Sequence, residues 1–172
     1  YLSLLVAHRG MLVVEEYFNG NQQDALNDVR SVTKSIVATL AGLAIFEGHI
    51  ESVDQSIDTF ITADIATLTE AEKEITIGHL LNMTGGWDWP EVGGPIYNEW
   101  ILSGDHLQFL LDRPLINSPG AQFTYNSAGV HLLGVAVQQA VGMPLSDFAD
   151  QMLFGPLGIV ERDWEDFPGG YV

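Results

Sequence analysis

The chain has 172 residues and is 47% hydrophobic, which is sufficient for one domain of ordinary size with a buried core. Its 23 acidic and 6 basic residues give a formal net charge of −17, and such an acidic surface repels nucleic acid and anionic membranes. There are no cysteines, so disulfides, thiol catalysis and cysteine-ligated metal sites are excluded. No apolar run reaches the length of a membrane span, and the sequence leaves the cellular compartment open.

The first 30 residues predict a β-hairpin followed by a polar loop. Two β-rich runs, 2–7 and 11–18, flank a tight turn at Arg9 and Gly10, where the glycine can supply a positive φ. Two strands are marginally stable by themselves, and sheets normally contain three or more. We therefore expect this hairpin to pair with strands that lie outside the sequence.

The remainder of the chain predicts one helix after another. Residues 31–50 carry apolar side chains at a helical period and end at Gly48, so we expect a long helix that is buried centrally. The acidic stretch 51–74 predicts a short helix and a loop, after which Thr76 caps a short helix that stops at a Gly-Gly pair. The later predictions are a loop over a cleft at 87–100, a helix capped by Ser103 and ending at Leu111, a helix over 127–141 ending at Gly142, and a helix with a turn over 145–158.

The run RSVTKS places Lys34 three residues after Ser31 in a chain whose only other lysine is Lys73. Side chains at i and i+3 share one face of a helix, so the Lys34 amine can lie beside the Ser31 hydroxyl. Serine is a weak nucleophile that needs a base within hydrogen-bond reach. Burial and the positive end of the helix dipole both disfavour a charged amine, so Lys34 can serve as this base. The Ser31 backbone N–H can stabilise an oxyanion.

A solvated helix face is the alternative interpretation of this pair. A bare Ser-x-x-Lys pattern arises by chance on the order of once in a chain of this length. Two features favour catalysis: lysine is rare here, and a strongly apolar helix follows Lys34.

Tyr125 lies just before the predicted helix 127–141. A tyrosine in this position is usually a core residue whose hydroxyl bonds to the backbone. The functional alternative is a general base beside the lysine, with a proton relay between Tyr125, Lys34 and Ser31. The neighbouring Asn126 and Ser127 are candidates to hold these groups or the substrate by hydrogen bonds.

Aromatic residues cluster between the serine and tyrosine segments, at Trp87, Trp89, Tyr97 and Trp100. Such a cluster forms either a local core or the wall of an apolar pocket, and we predict that Trp87 lies near the site. The five histidines show no metal-binding spacing, and no G-x-S-x-G elbow is present. We therefore expect no metal, no cofactor and no α/β-hydrolase fold.

Three segments carry a resemblance to a known family, and they are, in order, RSVTKSIVATLAGLAIFEG, TIGHLLNMTGG and PGAQFTYNSAGVHLLG. They resemble the serine β-lactamase-related superfamily, in the group of class C β-lactamases, DD-peptidases, β-lactamase-fold esterases and aminohexanoate-dimer hydrolases. The resemblance implies an α+β fold of the α/β sandwich type. It also implies that Ser31 is the nucleophile, with Lys34 and Tyr125 as its proton-transfer partners.

The implied reaction is the hydrolysis of an ester or amide through an acyl-enzyme. The family often has Asn where this chain has Ser127, and this departure resembles the esterase and amide-hydrolase members more than the dedicated β-lactamases. DD-peptidase or β-lactamase activity is the enzymatic alternative. A penicillin-binding sensor that acylates without turnover, or a non-catalytic helical interaction module, are alternatives of other classes. The expected partner is a small ester, amide or peptide, without nucleic acid or a membrane span.

The family also has a third motif, a Lys or His followed by a small residue and Gly, on a strand that supplies the second oxyanion N–H. No such motif follows Tyr125. We therefore expect an incomplete β-lactamase-like domain: a hairpin and loop at 1–30, a mainly helical region at 31–158 and the start of the return to the sheet at 159–172. The missing C-terminal part is expected in the same protein or as a separate chain. Because Tyr1 already lies in a predicted strand, we also expect a segment before it.

Overall fold

The structure is a computed structural model, and it describes residues 1–165. The chain divides into two units. The first contains residues 1–29 together with Glu161–Asp163, and the second contains Arg30–Val160 together with Trp164 and Glu165.

The first unit is built on an antiparallel β-hairpin. Its strands are β1 (Ser3–His8) and β2 (Met11–Tyr17), with a register irregularity between Val6 and Ala7. Arg9 and Gly10 in the turn have φ of 51° and 77°, the positive values that a tight two-residue hairpin turn requires. The predicted hairpin is therefore confirmed, with strand ends shifted by about one residue. Most apolar side chains of both strands are exposed.

The second unit is helical. Its α-helices, in chain order, are α1 (Thr33–Phe46), α2 (Ile77–Leu81), α3 (Ile96–Ile101), α4 (His106–Leu111), α5 (Ser127–Val141), α6 (Leu145–Ala149) and α7 (Gly155–Leu157). Turns of 3₁₀ helix lie at Arg30–Val32, Ile57–Thr59 and Glu72–Glu74, and a π-helical turn at Asp150–Phe154 joins α6 to α7.

Helix α5, rather than α1, is the central element of this unit. Nearly every residue of α5 is buried, and α1, α2, α4 and α6 pack against it. On α1 the fully buried residues lie along one side, at Val37, Leu40, Ala41 and Ala44. The predicted central burial of the first helix was therefore wrong, because an apolar sequence does not by itself distinguish a helix packed on one side from a helix enclosed on all sides.

The short helices differ from the predictions at their starts. The cap of α4 is Asp105, whose carboxylate accepts the Gln108 N–H at 2.9 Å, and not Ser103, whose hydroxyl donates to the Trp100 carbonyl. The predicted loop at 87–100 was partly wrong, since α3 occupies its end. The short helix predicted in 51–74 is present only as 3₁₀ turns, at Ile57–Thr59 and Glu72–Glu74.

The predicted cap at Thr76 and the end of α5 at Gly142 are confirmed. The predicted helix and turn over 145–158 are present: residues 145–157 are helical, with the π turn in the middle, and Gly158 forms the turn. Residues 159–165 contain neither helix nor strand, and the rest of the predicted return to the sheet lies outside the described residues. Within the described part, no single helix has the length and apolar character to cross a bilayer. Among residues 1–165, one pair meets those criteria jointly, namely Ser127–Val141 and Leu145–Leu157, which are bent by 78°.

Candidate active site

Three side chains meet at the start of α1. The Lys34 Nζ donates a hydrogen bond to the Ser31 Oγ at 3.0 Å, and the Tyr125 hydroxyl donates to the same oxygen at 2.8 Å. The Lys34 Nζ also lies 5.2 Å from the centroid of the Tyr125 ring, within the range of a cation–π interaction. The structure thus brings together the three residues that the sequence singled out as catalytic candidates, although Tyr125 is 94 residues from Ser31 along the chain.

The serine of this cluster is accessible. Ser31 is exposed in the 3₁₀ turn that precedes α1, whereas Lys34 and Tyr125 are half-buried. Arg30, immediately before it, has φ of 50°, a left-handed conformation that is uncommon outside glycine and often marks functional sites. The Ser31 hydroxyl is hydrogen-bonded to two titratable groups. Because Ser31 is exposed, a carbonyl carbon that arrives from solution can reach its oxygen.

Tyr125 lies at the end of the segment 116–125, which we call the tyrosine segment. The backbone of this segment is hydrogen-bonded to the turn that follows α2. The N–H of Thr124 donates to the Met83 carbonyl at 2.9 Å, and the N–H of Gly120 donates to the Thr84 carbonyl at 2.8 Å. Gly86 accepts from the Ile116 N–H at 2.9 Å. The turn with the sequence TGG (84–86), which belongs to one of the three segments that resemble the family, therefore holds the tyrosine segment in place.

His79 has a structural position in this support. Its Nδ1 accepts the Thr76 backbone N–H at 3.2 Å, and the Thr76 hydroxyl accepts the His79 N–H, which completes a capping box on α2. A Cβ on Gly120 would lie 2.9 Å from the His79 Nε2, so glycine allows the close approach of the two segments.

Asn126 and Ser127 directly follow Tyr125 in the chain, and all three predicted substrate-binding residues, which include Trp87, are buried. Asn126 and Ser127 are 5% and 7% exposed, and the Asn126 side chain accepts the Gly129 N–H at 2.8 Å as the cap of α5. Direct contact of these two residues with substrate stays a prediction. Trp87 is only 1% exposed and donates its indole N–H to Glu72, so its burial does not support the predicted substrate contact.

Glu91 is a residue of this region that sequence reasoning missed. Its carboxylate accepts the Ser127 N–H at 2.8 Å, the Ser127 hydroxyl at 2.6 Å and the Trp89 indole N–H at 2.8 Å. An acidic group is favourable at a helix N-terminus. However, Glu91 and Ser127 are 36 residues apart, and nothing local in the sequence indicates which of many acidic residues reaches α5.

A second polar cluster, formed by Trp100, His106 and His131, lies in the core. The Trp100 indole N–H donates to the His106 carbonyl at 3.0 Å, and the two imidazole centroids are 6.0 Å apart. Burial, with a smaller contribution from His106, lowers the pKa of His131 to about 3. Within residues 1–165, no three His, Asp or Glu side chains are grouped in a way that would hold a metal ion.

Comparison with known proteins identifies the family of the chain. The model of the family described as Beta-lactamase matches residues 2–166, so the chain belongs to the Beta-lactamase family. This confirms the resemblance drawn from the three segments.

Two curated relatives are similar in sequence. Monacolin J acid methylbutanoyltransferase from Aspergillus terreus is 28% identical over 165 residues, which cover 84% of this chain and 39% of the relative. Esterase EstB from Burkholderia gladioli is 28% identical over 151 residues, covering 80% of this chain and 38% of the relative. The chain thus spans about two fifths of the length of these relatives.

A solved structure shares the fold. The beta-lactamase/D-alanine carboxypeptidase from Yersinia pestis has a TM-score of 0.71 and 20% identity, over 91% of this chain and 47% of that protein. This likeness concerns the fold alone. The predicted α+β fold of β-lactamase type is confirmed, and the small sheet and helices seen here correspond to part of it.

Proposed function

We propose that the protein is a serine hydrolase that cleaves an ester or amide bond through an acyl-enzyme on Ser31. The observation that carries this proposal is the convergence of the Lys34 amine and the Tyr125 hydroxyl on one exposed serine oxygen. Membership of the Beta-lactamase family and a relative named as an esterase support the same class.

The geometry provides a route for the serine proton. In its phenolate form the Tyr125 oxygen can take the proton of Ser31 across the 2.8 Å separation and become the neutral hydroxyl, while the Lys34 ammonium balances the negative charge of the cluster. The Ser31 oxygen then attacks the carbonyl carbon of the substrate. The backbone N–H of Ser31 is one donor available to the oxyanion that results.

The remaining steps reuse the same groups. When the tetrahedral intermediate collapses, the leaving alcohol or amine takes the transferred proton and the acyl group stays on Ser31. Water then attacks this ester, gives its proton to the Tyr125–Lys34 pair, and the acid is released as Ser31 regains its hydrogen. The ester or amide substrate class follows from this chemistry, and no cofactor is required for it.

The fate of the acyl group separates the alternatives. A DD-peptidase or β-lactamase forms the same intermediate from a peptide or a β-lactam, and a sensor domain retains it without turnover. The relative named as a methylbutanoyltransferase favours a further possibility, transfer of the acyl group to an acceptor alcohol instead of water. Deacylation rates measured with and without an added alcohol distinguish these cases.

We also propose that a further part of the intact protein, in the same or a separate chain, completes the sheet and supplies the second oxyanion donor. The coverage of the relatives, 39% and 38% of their lengths, supports this proposal. Residues 1–172 expressed alone are therefore expected to lack the activity of the intact protein. An active 172-residue fragment would overturn this part of the proposal.

The test of function is Ser31→Ala in the intact protein, assayed by p-nitrophenyl ester hydrolysis and fluorophosphonate labelling. Both signals should disappear together. Ser35→Ala, which alters another exposed serine of the same run, is the matched control and should leave both unchanged. Near-normal hydrolysis by Ser31→Ala would refute the assignment of the nucleophile.

A further inference from the structure

We propose that Glu91 is a positioning residue that holds Tyr125 against Ser31 by anchoring the first residue of α5. This inference rests on the function proposed above, because it gives Glu91 a role in the reaction of Ser31. It extends that function to a residue whose side chain is hydrogen-bonded to Ser127 and Trp89 and to none of Ser31, Lys34 and Tyr125.

The anchor consists of three hydrogen bonds to one carboxylate. One Glu91 oxygen accepts both the Ser127 N–H and the Trp89 indole N–H, each at 2.8 Å, and the other accepts the Ser127 hydroxyl at 2.6 Å. Ser127 is 7% exposed, so water cannot readily replace the carboxylate as the partner of its N–H and hydroxyl. Removal of Glu91 leaves three donors of two buried residues, the Ser127 N–H and hydroxyl and the Trp89 indole N–H, without this acceptor.

Tyr125 lies between this anchor and a second one. On its N-terminal side, the Thr124 N–H donates to the Met83 carbonyl at 2.9 Å. On its C-terminal side, Ser127 is fixed by Glu91, two residues beyond the tyrosine. The tyrosine backbone is therefore held at both ends, and the position of its hydroxyl 2.8 Å from the Ser31 oxygen depends on both.

A carboxylate suits this position better than a neutral group. Helix α5 has 15 residues, and its N-terminus carries a partial positive charge that an anion stabilises. Hydrogen bonds to an ionised acceptor are shorter and stronger than those to a neutral one. The Asn126 side chain already caps a different N–H, that of Gly129, so it does not duplicate the Glu91 contact.

Glu72 offers a chemically matched control. Its carboxylate also accepts a backbone N–H and a hydroxyl from a single residue, Thr69, at 2.8 and 2.7 Å, together with an indole N–H from Trp87 at 3.3 Å. None of these partners belongs to α5 or to the Ser31 cluster. Glu72→Gln thus removes a carboxylate with a comparable set of hydrogen bonds without releasing the start of α5.

The experiment is a double-mutant cycle on the fluorophosphonate labelling rate of the intact protein. A misplacement of about 1 Å can cost up to about 100-fold in rate, so Glu91→Ala should lower the rate by about that factor and Glu91→Gln by about tenfold. Glu72→Gln should change it less than about twofold. In a Tyr125→Phe background, Glu91→Ala should have almost no further effect, because the group it positions is gone.

A merely structural role gives a different pattern. If Glu91 only stabilised the fold, Glu91→Ala would lower the rate by the same factor with Tyr125 or Phe at that position, and this equality would overturn the proposal. If Glu91→Ala does not fold, the cycle is run with Glu91→Gln, which retains the size and one acceptor oxygen of the side chain.

A crystal structure of the Glu91 variant separates this inference from the proposed function. We expect the distance from the Tyr125 hydroxyl to the Ser31 Oγ to exceed the 2.8 Å seen here by an ångström or more. An unchanged distance overturns the positioning role whether or not the protein is an enzyme. If the unaltered protein does not react with the fluorophosphonate probe, the proposed function is refuted. The distance from the Tyr125 hydroxyl to the Ser31 Oγ would still show whether Glu91 positions the tyrosine.

Discussion

Two polar clusters in the helical unit differ in how far water reaches them. The Ser31 cluster, formed by Ser31, Lys34 and Tyr125, has an exposed serine oxygen with two hydrogen-bond donors on it. The histidine cluster, formed by Trp100, His106 and His131, is enclosed in the core, with each member at most 6% exposed. Both contain groups that are common in active sites.

The difference between the clusters lies in what their chemistry can reach. In the proposed mechanism, a proton moves within the Ser31 cluster while a substrate approaches the exposed serine. In the histidine cluster the imidazoles contact aromatic rings edge-on, and burial keeps the pKa of His131 near 3, so it stays uncharged at neutral pH. We therefore expect substitutions in the Ser31 cluster to lower activity with little loss of stability. Substitutions in the histidine cluster should lower stability with little loss of activity.

Among the changes that leave Ser31 in place, the largest effect is expected for Lys34→Met, which removes the amine and keeps the length of the side chain. Positioned acid–base groups contribute about 10²–10⁴-fold, so the rate of fluorophosphonate labelling should fall by about 10³-fold. Thermal melting should stay within a few degrees, because Lys34 is only half-buried. Lys73→Met is the control, since Lys73 pairs with Glu70 on the surface and should leave labelling unchanged. Equal labelling by both variants would contradict a catalytic role for Lys34.

Gly86→Ala should lower both activity and stability, because Gly86 lies inside the fold and its carbonyl holds the tyrosine segment by a hydrogen bond. Its φ of 97° is unfavourable for alanine, and a Cβ there would overlap the Asn117 carbonyl oxygen. Strain and overpacking of this kind cost about 3 kcal/mol of unfolding free energy, which urea titration can measure.

Gly42→Ala provides the contrast to this change. Gly42 lies inside α1, and no atom comes within 4 Å of the position that an alanine Cβ would take, so alanine should stabilise the protein by up to about 1 kcal/mol. If Gly86→Ala caused no more loss of unfolding free energy than Gly42→Ala, the close packing of the turn at Gly86 against the tyrosine segment at Asn117 would be refuted.

His131 should make stability depend on pH. Its folded pKa of about 3 lies below the ordinary value of 6.5, so the unfolded chain takes up the proton first as pH falls. Stability is therefore complete above pH 6.5 and is lost progressively below it, by about 1.4 kcal/mol per pH unit, or about 2 kcal/mol by pH 5.

His131→Phe removes this dependence, so the difference in unfolding free energy between the unaltered protein and the variant should change by about the same 2 kcal/mol over that range. Denaturant unfolding at several pH values gives the difference. A constant difference would show that His131 titrates alike in both states. Labelling of Ser31 at neutral pH should remain within about threefold in the variant, in keeping with the separation of the two clusters.

The smallest effect is expected for Arg113→Met. The Arg113 guanidinium lies 3.5 Å from the Asp88 carboxylate, and both side chains are partly exposed. Ion pairs of this kind contribute less than about 1 kcal/mol and weaken with salt. Unfolding measured at low and high salt should show a small loss that disappears at high salt, and a large loss at high salt would indicate a buried role instead.

Local signals in the sequence were sufficient for part of the fold. The hairpin turn at Arg9 and Gly10, the cap at Thr76 and the stop of α5 at Gly142 were each predicted from a few neighbouring residues, and all are present. The i, i+3 spacing also predicted that Lys34 would reach Ser31.

Contacts between distant residues were harder to predict. The meeting of Tyr125 with Ser31 was expected through the family resemblance, because no local rule connects residues 94 positions apart. The anchor at Glu91 had no such guide. Ser103 and Asp105 are both good helix caps, and the packing of Trp100 against the start of α4 selected the second. Capping propensity thus allowed either residue as the cap of α4, and tertiary packing determined which of them is used.

The most direct test of the central claim is to trap the acyl-enzyme. The intact protein is mixed with a p-nitrophenyl ester, quenched with acid during turnover, digested and analysed by peptide mass spectrometry. We expect the acyl mass to appear on Ser31, to be absent in Ser31→Ala, and to form far more slowly in Lys34→Met. Hydrolysis without any adduct on Ser31, or with the acyl group on another residue, would contradict the proposed mechanism.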